Sequence, residues 1–259
     1  MLLAIDCGNT NIVFAIYDQD EQQASWRISS DSRRSTDEYI VWLTQLMTLK
    51  NINVGDITGV MIASVVPDIQ PELVALAHRG FNLVPLCVDD PCVKLGIAIN
   101  IDRPEQAGAD RLVNAVAAAA WHNLPAIVID FGTATTLDLI GPKGAYEGGI
   151  IAPGVNLSIE ALYMAAARLP RIAVKQWQTD MPVLGTDTIS AMQSGVFWGY
   201  VGMIEGLLER LRHSYGADLP AIATGGLAPL FADHINGPLT VDTDLTLKGL
   251  VRIHAQNKI

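Results

Sequence analysis

The feature that most constrains this chain is a pattern that occurs twice. Residues 2–5, Leu-Leu-Ala-Ile, run into Asp6-Cys7-Gly8-Asn9-Thr10 and then into a second apolar stretch from Asn11, Ile12 and Val13 to Tyr17. Residues 126–129 likewise run into Asp130-Phe131-Gly132-Thr133 and then into 134–140. Apolar runs on either side of a polar, Gly-containing tip read as two-stranded hairpins. The two Asp-x-Gly tips, Asp6 and Asp130, lie 124 residues apart, close to half of the 259-residue length. A single Asp-x-Gly carries little information. Its recurrence after an apolar strand, at half-length spacing, predicts an internal duplication. The expected architecture is α/β: two similar lobes, 1–120 and 121–259, with a cleft between them.

Other elements fit this frame. Ser35-Thr36-Asp37-Glu38 has the spacing of a capping box, so a helix is predicted over 39–47. Stretches 60–66 and 83–88 read as buried strands with a short helix at 72–78 between them, and an Ala-rich helix at 112–121 closes the first half. The second half predicts helices over 156–167 and 190–212, the latter with Met192, Val196, Tyr200, Met203, Leu207 and Leu211 along one face. Gly195, Gly199, Gly202 and Gly206 also lie close together on that helix. Each Gly costs roughly 1 kcal/mol relative to Ala in a helix. Close approach is therefore expected there, from the same chain or from a second subunit. Residues 221–226 read as a strand ending in Thr224-Gly225-Gly226.

With half of its residues apolar, the chain can bury a substantial core. Its net charge of −10 disfavours nucleic acid and anionic membrane surfaces, which need clustered Lys and Arg. The longest apolar stretch, 195–208, contains Glu205 and is too short to span a bilayer. Cys7, Cys87 and Cys92 lack the C-x-x-C spacing of zinc sites, and with no charged leader ahead of Asp6 a reducing cytoplasm is expected. The five histidines show no ligand spacing, and the five tryptophans are scattered, as expected of core packing.

Neither a Walker A sequence nor a strand-terminal G-x-G-x-x-G is present. A phosphate site would have to be built otherwise. In the first turn Gly8 lets the backbone approach an oxyanion, Asn9 and Thr10 offer donors, and Asp6 can hold Mg²⁺ directly or through water. Asp130, Gly132 and Thr133 repeat the order. With Thr224-Gly-Gly226, the two turns point to an ATP-dependent kinase of a small metabolite bearing a hydroxyl. Asp110, in Gly108-Ala109-Asp110-Arg111, reads equally as a general base or as a carboxylate at a helix start. Arg111 can grip a substrate carboxylate or form a surface ion pair. Asp130 alone could serve Mg²⁺ or another hard cation.

The set Asp6-x-Gly8-Asn9-Thr10, Gly108-Ala-Asp-Arg111, Asp130-Phe-Gly-Thr133-Ala-Thr, Gly148-Gly-Ile-Ile-Ala-Pro-Gly154, Asp187-Thr188 with Met192-Gln-Ser-Gly195, and Thr224-Gly-Gly226 closely resembles the type III pantothenate kinase family, over nearly the whole chain. The resemblance implies duplicated ribonuclease-H-like lobes of the acetate and sugar kinase, Hsp70 and actin superfamily. It also implies transfer of the γ-phosphoryl group of ATP to pantothenate, giving 4′-phosphopantothenate for coenzyme A synthesis. In that light Asp110 matches the proton acceptor; Asp6, Cys7, Gly8, Asn9, Thr10, Asn11, Ile12, Val13 and Thr133 match ATP contacts; and Gly108, Ala109, Asp110, Arg111 and Thr188 match pantothenate contacts. Asp130 matches a ligand for a monovalent cation, K⁺ or NH₄⁺, alongside Mg²⁺, and a homodimer is implied. One departure is Ile101, in Asn100-Ile101-Asp102-Arg103-Pro104, where the family often carries an aromatic residue. The alternatives are a different kinase on the same superfamily scaffold, acting on a sugar or a carboxylate, and a nucleotide-binding regulator similar to the Bvg accessory factor. The retained Asp6, Asp110, Arg111 and Asp130 count against the regulator.

Overall fold

A computed structural model describes residues 1–166, 168–178, 180–216 and 218–258. In chain order the elements are β1 (Leu2–Cys7), β2 (Asn11–Asp18), β3 (Glu21–Ser29), α1 (Thr36–Leu49), β4 (Gly59–Ser64), α2 (Gln70–Phe81), β5 (Leu86–Cys87), α3 (Ala109–Trp121), β6 (Ala126–Phe131), β7 (Ala134–Ile140), β8 (Tyr146–Pro153), α4 (Val155–Ala165), α5 (Thr188–Tyr215), β9 (Ala221–Thr224), α6 (Ala228–Phe231), β10 (Leu239–Val241) and α7 (Leu245–Asn257). They form two compact units, Met1–Trp121 with Leu245–Ile259, and His122–Asp244.

The first unit is a five-stranded sheet in the order β3-β2-β1-β4-β5. Strands β1, β2 and β3 pair antiparallel, while β4 joins β1, and β5 joins β4, in parallel. Side chains alternate across a strand, and the burial follows. Leu3, Ile5, Phe14 and Ile16 face a core completed by Tyr39 and Leu43 of α1 and Leu73 of α2. α1 starts on the predicted capping box, with Ser35 and Glu38 exchanging hydrogen bonds, a device worth about 1 kcal/mol. The opposite face, with Ala4, Ala15 and Ala63, packs against α3 and α7 through Val113, Val116, Leu250 and Ile253. Small residues allow this close fit: a side chain at Gly249 would strike the Val113 carbonyl, and one at Gly59 would strike His254.

The second unit repeats the plan. Its sheet runs β10-β9-β6-β7-β8, with β6, β7 and β8 antiparallel and β9 and β10 added in parallel. Strands β1 to β5 therefore correspond to β6 to β10. β1 and β6 keep the 124-residue offset along their whole length, and the offset drops by one past the tip. The Gly8 N–H donates to Asn11 O (3.0 Å), closing a four-residue turn, whereas the Gly132 N–H donates to Ala134 O (3.1 Å) across three residues. The core on one face of this sheet gathers Ile127, Ile129, Leu137, Leu139 and Ala223 with Phe197, Ile204 and Leu208 of α5.

Several details differ from the sequence reading. The last helix, α7, belongs to the first unit, because its apolar side completes the cover over Ala4 and Ala63. The buried side of α5 is wider than the predicted face: Met192 and Tyr200 of the Met192–Leu211 series are buried, and so are Phe197, Val201, Ile204 and Leu208 beside them. Gly195, Gly199 and Gly202 face open space among the described residues, so tight packing within the chain does not explain them. Trp121 is 48% exposed rather than in the core. α4 ends at Ala165, and Ala167, the last residue of the predicted helix, lies outside the described residues. Strands β3, β8 and β10 escape an apolar-pattern reading because their burial alternates or is slight.

Candidate active site

The two Asp-x-Gly turns sit at the carboxyl ends of the paired parallel strands, where α/β sheets commonly bind ligands. In the first unit the turn from Gly8 to Thr10 is pinned from β3: Ser30 Oγ donates to the Gly8 carbonyl (2.5 Å), and the Ser30 N–H donates to the Thr10 carbonyl (3.0 Å). Beneath it the Val65 N–H donates to the Cys7 carbonyl (3.0 Å). The polar tip is thus fixed by residues outside the motif. The pleat sorts the eight of the nine predicted ATP contacts that lie in this hairpin, Asp6 to Val13. Cys7 and Ile12 point into the core, 1% and 0% exposed, so only their main chain can meet a ligand. Asn9 and Thr10 are exposed, while Gly8 and Asn11 are half-buried. Burial, with the neighbouring Asp6 charge adding to it, raises the Cys7 thiol to about 11, so it stays protonated.

Asp6 and Val13 lie on the opposite side of β1 and β2, the face covered by α3 and α7. That is also where the Gly108-Ala-Asp-Arg segment begins α3. Ala109 anchors the helix start in the apolar cover, and Asp110 and Arg111, one and two residues on, remain half-buried. The Arg111 N–H donates to Asp110 Oδ1 (2.8 Å), holding the carboxylate over the first turn. A side chain at Gly108 would come within 2.6 Å of that oxygen, so glycine there leaves the carboxylate room. Both Asp6 and Asp110 therefore belong to the first unit and to one face of its sheet. Ile101 is half-buried ahead of the short helix Pro104–Gln106.

In the second unit Asp130 stands next to the end of β6, opposite Thr136 of β7 and Thr224 of β9. Three glycines frame this tip. Gly225 has φ +88°, and a side chain there would lie 2.6 Å from Asp130 Oδ1 and 2.7 Å from Phe131 O. Gly132 would bring one to 3.5 Å from the same carboxylate oxygen, and one on Gly154, the N-cap of α4, would strike the Gly132 and Thr133 carbonyls. The Gly-rich segments at 148–154 and 224–226 are thus the walls of the turn carrying Thr133. Thr188 is elsewhere in this unit, at the start of α5, whose N-cap Asp187 accepts from the Ile189 and Ser190 N–H groups (2.9 and 3.0 Å). It lines an apolar cavity of about 800 Å³ with Tyr200, Met192, Val196, Gly195 and Gly199. Tyr200 is fixed there by donating to the Pro153 carbonyl (2.9 Å).

The sequence reading missed Ser30, whose only signal is its place at the end of a polar edge strand. It also missed the buried Asp138, which accepts from Tyr146 OH (2.9 Å) and Thr136 Oγ1 (3.2 Å). No group of three or more His, Cys, Asp or Glu among the described residues forms a metal cluster, and no described helix is long and apolar enough to cross a membrane. The three cysteines are free.

Two sheets of identical strand order, each with an Asp-x-Gly turn at the end of its first strand, define the α/β fold of the sugar kinase and actin-like ATPase class. A Sinorhizobium meliloti structure assigned as a 2-dehydro-3-deoxygalactonokinase shares this fold, with a TM-score of 0.58 over 99% of this chain and 97% of that one at 14% identity. The sequence profile of type III pantothenate kinase matches residues 2–210, and the chain belongs to that family. It is 55% identical to the type III pantothenate kinase of Paramagnetospirillum magneticum, over 99% of this chain and 98% of the relative. It is 54% identical to that of Rhodospirillum rubrum, over 100% and 99% respectively.

Proposed function

We propose that the chain phosphorylates pantothenate at its primary hydroxyl, using ATP, as the first committed chemistry toward coenzyme A. The observation that carries this reading is the full-length match to the family together with an intact Gly108-Ala-Asp110-Arg111 at the start of α3. Asp110 accepts the hydroxyl proton while Arg111 holds the substrate's carboxylate or amide oxygen. The turns Gly8–Thr10 and Gly132–Thr133 offer backbone N–H and hydroxyl donors to ATP phosphates. Transfer of a phosphoryl group depends mostly on alignment and neutralisation of charge. Mg²⁺ fits this donor set: it commonly binds through one or two carboxylates plus nucleotide phosphates, and Asp6 supplies one carboxylate. Asp130 is read as the ligand of a monovalent cation.

The open glycine face of α5 and the exposed Leu157, Tyr163, Met164 and Ile189 support a second copy of the chain as the partner that covers the apolar cavity. A reducing cytoplasm suits the free cysteines. The test is Asp110→Asn. The variant should fold and bind nucleotide normally, because an amide oxygen can still accept from Arg111, while kcat falls about 10²–10⁴-fold. A kcat within a few-fold of wild type would remove Asp110 from the base role.

A further inference from the structure

The duplication offers an internal control, because each position around Asp130 has a counterpart around Asp6. In the first unit, Asp6 is flanked across the sheet by Val13 and Ala63, and Ala4 faces Ala15. In the second, Asp130 is flanked by Thr136 and Thr224, and Val128 faces Asp138. Three apolar positions have thus become two hydroxyls and a carboxylate on one face of one sheet. This strip is buried: Thr224 is 0%, Asp138 1% and Thr136 8% exposed. Burying oxygen atoms without use is costly, so such groups normally find partners.

Their hydrogen bonding is lopsided. Tyr146 and Thr136 both donate to Asp138. Having given its proton to Asp138, the Thr136 hydroxyl keeps its lone pairs for another acceptor role. Thr224 Oγ1 is fully buried and has no hydrogen-bond partner among the described residues. It stands beside Asp130, whose Oδ1 leans over the neighbouring Gly225. A carboxylate residue flanked across the sheet by two hydroxyl residues offers a donor set for a hard, weakly charged cation, not for a transition metal.

We propose that the Thr224 and Thr136 hydroxyl oxygens are ligands, together with Asp130, of a bound monovalent cation, and that Asp138, held by Tyr146, is the positioning residue that aims the Thr136 oxygen. The inference rests on the reading of Asp130 as a cation ligand and extends it to residues that the Asp-x-Gly motif does not contain. The cation supplies positive charge beside nucleotide phosphates. The chain's own contribution is a dry, oriented set of oxygens that the first unit lacks.

The test is thermal melting of the full chain with Mg²⁺ and a non-hydrolysable ATP analogue, titrating KCl against choline chloride at constant ionic strength. Wild type should gain stability saturably with K⁺. Thr224→Val and Thr136→Val should need at least about ten-fold more K⁺ for half of the effect, Asp138→Asn should shift the same way, and Thr224→Ser should restore the wild-type curve. Without K⁺, Thr224→Val should melt no lower than wild type, because the hydroxyl removed had no partner. If wild type shows no K⁺ response, the cation reading of Asp130 fails and this inference with it. If Asp130→Asn abolishes the response while Thr224→Val and Thr136→Val titrate like wild type, the cation site stands and the inference is refuted.

Discussion

Gly225→Ala tests whether the end of β9 is built around Asp130. Two costs add. A non-glycine residue at φ +88° is strained by about 1–3 kcal/mol. The new methyl would also lie 2.7 Å from Phe131 O and 2.8 Å from Phe131 C, main-chain atoms of the central strand β6 that cannot swing aside as a side chain can. Overpacking of this kind costs about 1–3 kcal/mol more. The sum, roughly 2–6 kcal/mol, corresponds to a melting point lower by at least about 4 °C, taking roughly 2–4 °C per kcal/mol for a chain of this size. The 2.6 Å approach to Asp130 Oδ1 adds a functional consequence, a raised KM for ATP with weakened dependence on K⁺. Gly216→Ala is the matched control. It also has positive φ (+142°), but its methyl would meet only Leu219 Cγ, at 3.8 Å, so it should lose less. Scanning fluorimetry and steady-state kinetics on both variants suffice. A Gly225→Ala protein that melts within a degree of wild type with an unchanged KM for ATP would refute the reasoning.

Three further outcomes are expected. Gly199→Ala faces open space in the single chain, so it should add up to about 1 kcal/mol of helix stability to a monomer, yet weaken self-association measured by analytical ultracentrifugation; unchanged association would remove the α5 face from the interface. Ser35→Ala breaks the α1 capping box and should cost about 1 kcal/mol in a denaturant melt, with ATP and pantothenate kinetics untouched. His254 is packed against Gly59, and burial, followed by the charges of Lys258 and the N-terminus, lowers its pKa. The unfolded chain therefore takes up this proton near pH 6.5 and the folded one only at lower pH, so stability should fall as pH drops below about 6.5. His254→Gln should flatten that part of the melting-point profile, and an unaltered slope would contradict the assignment.

The duplicated plan was legible because both copies of the hairpin announce themselves with an apolar strand before Asp-x-Gly. The paired strand orders were not, since β3 and β10 are edge strands with few buried residues, and β10 has only three residues. The full width of the buried side of α5 was not legible, because the Met192–Leu211 series marks one apolar row while Phe197 and Ile204, off that row, fill the centre of the core. Candidate residues were readable where a motif carries them, as at Asp6, Asp110 and Asp130. Of the buried set Thr136, Asp138 and Thr224, only Thr224 falls in a motif, Thr224-Gly-Gly226, and nothing in that motif marks its hydroxyl as a partner of Asp130. Only the sheet register, aligned on the repeat, shows that these oxygens replace Val13, Ala15 and Ala63.

The central claim is acceptor identity, and product analysis tests it most directly. Purified protein incubated with ATP, Mg²⁺, K⁺ and pantothenate should release ADP only when pantothenate is present, and mass spectrometry should find one phosphoryl group added at the primary hydroxyl. ADP release that is indifferent to pantothenate, or that another hydroxyl acceptor accelerates while pantothenate stays unmodified, would contradict the account.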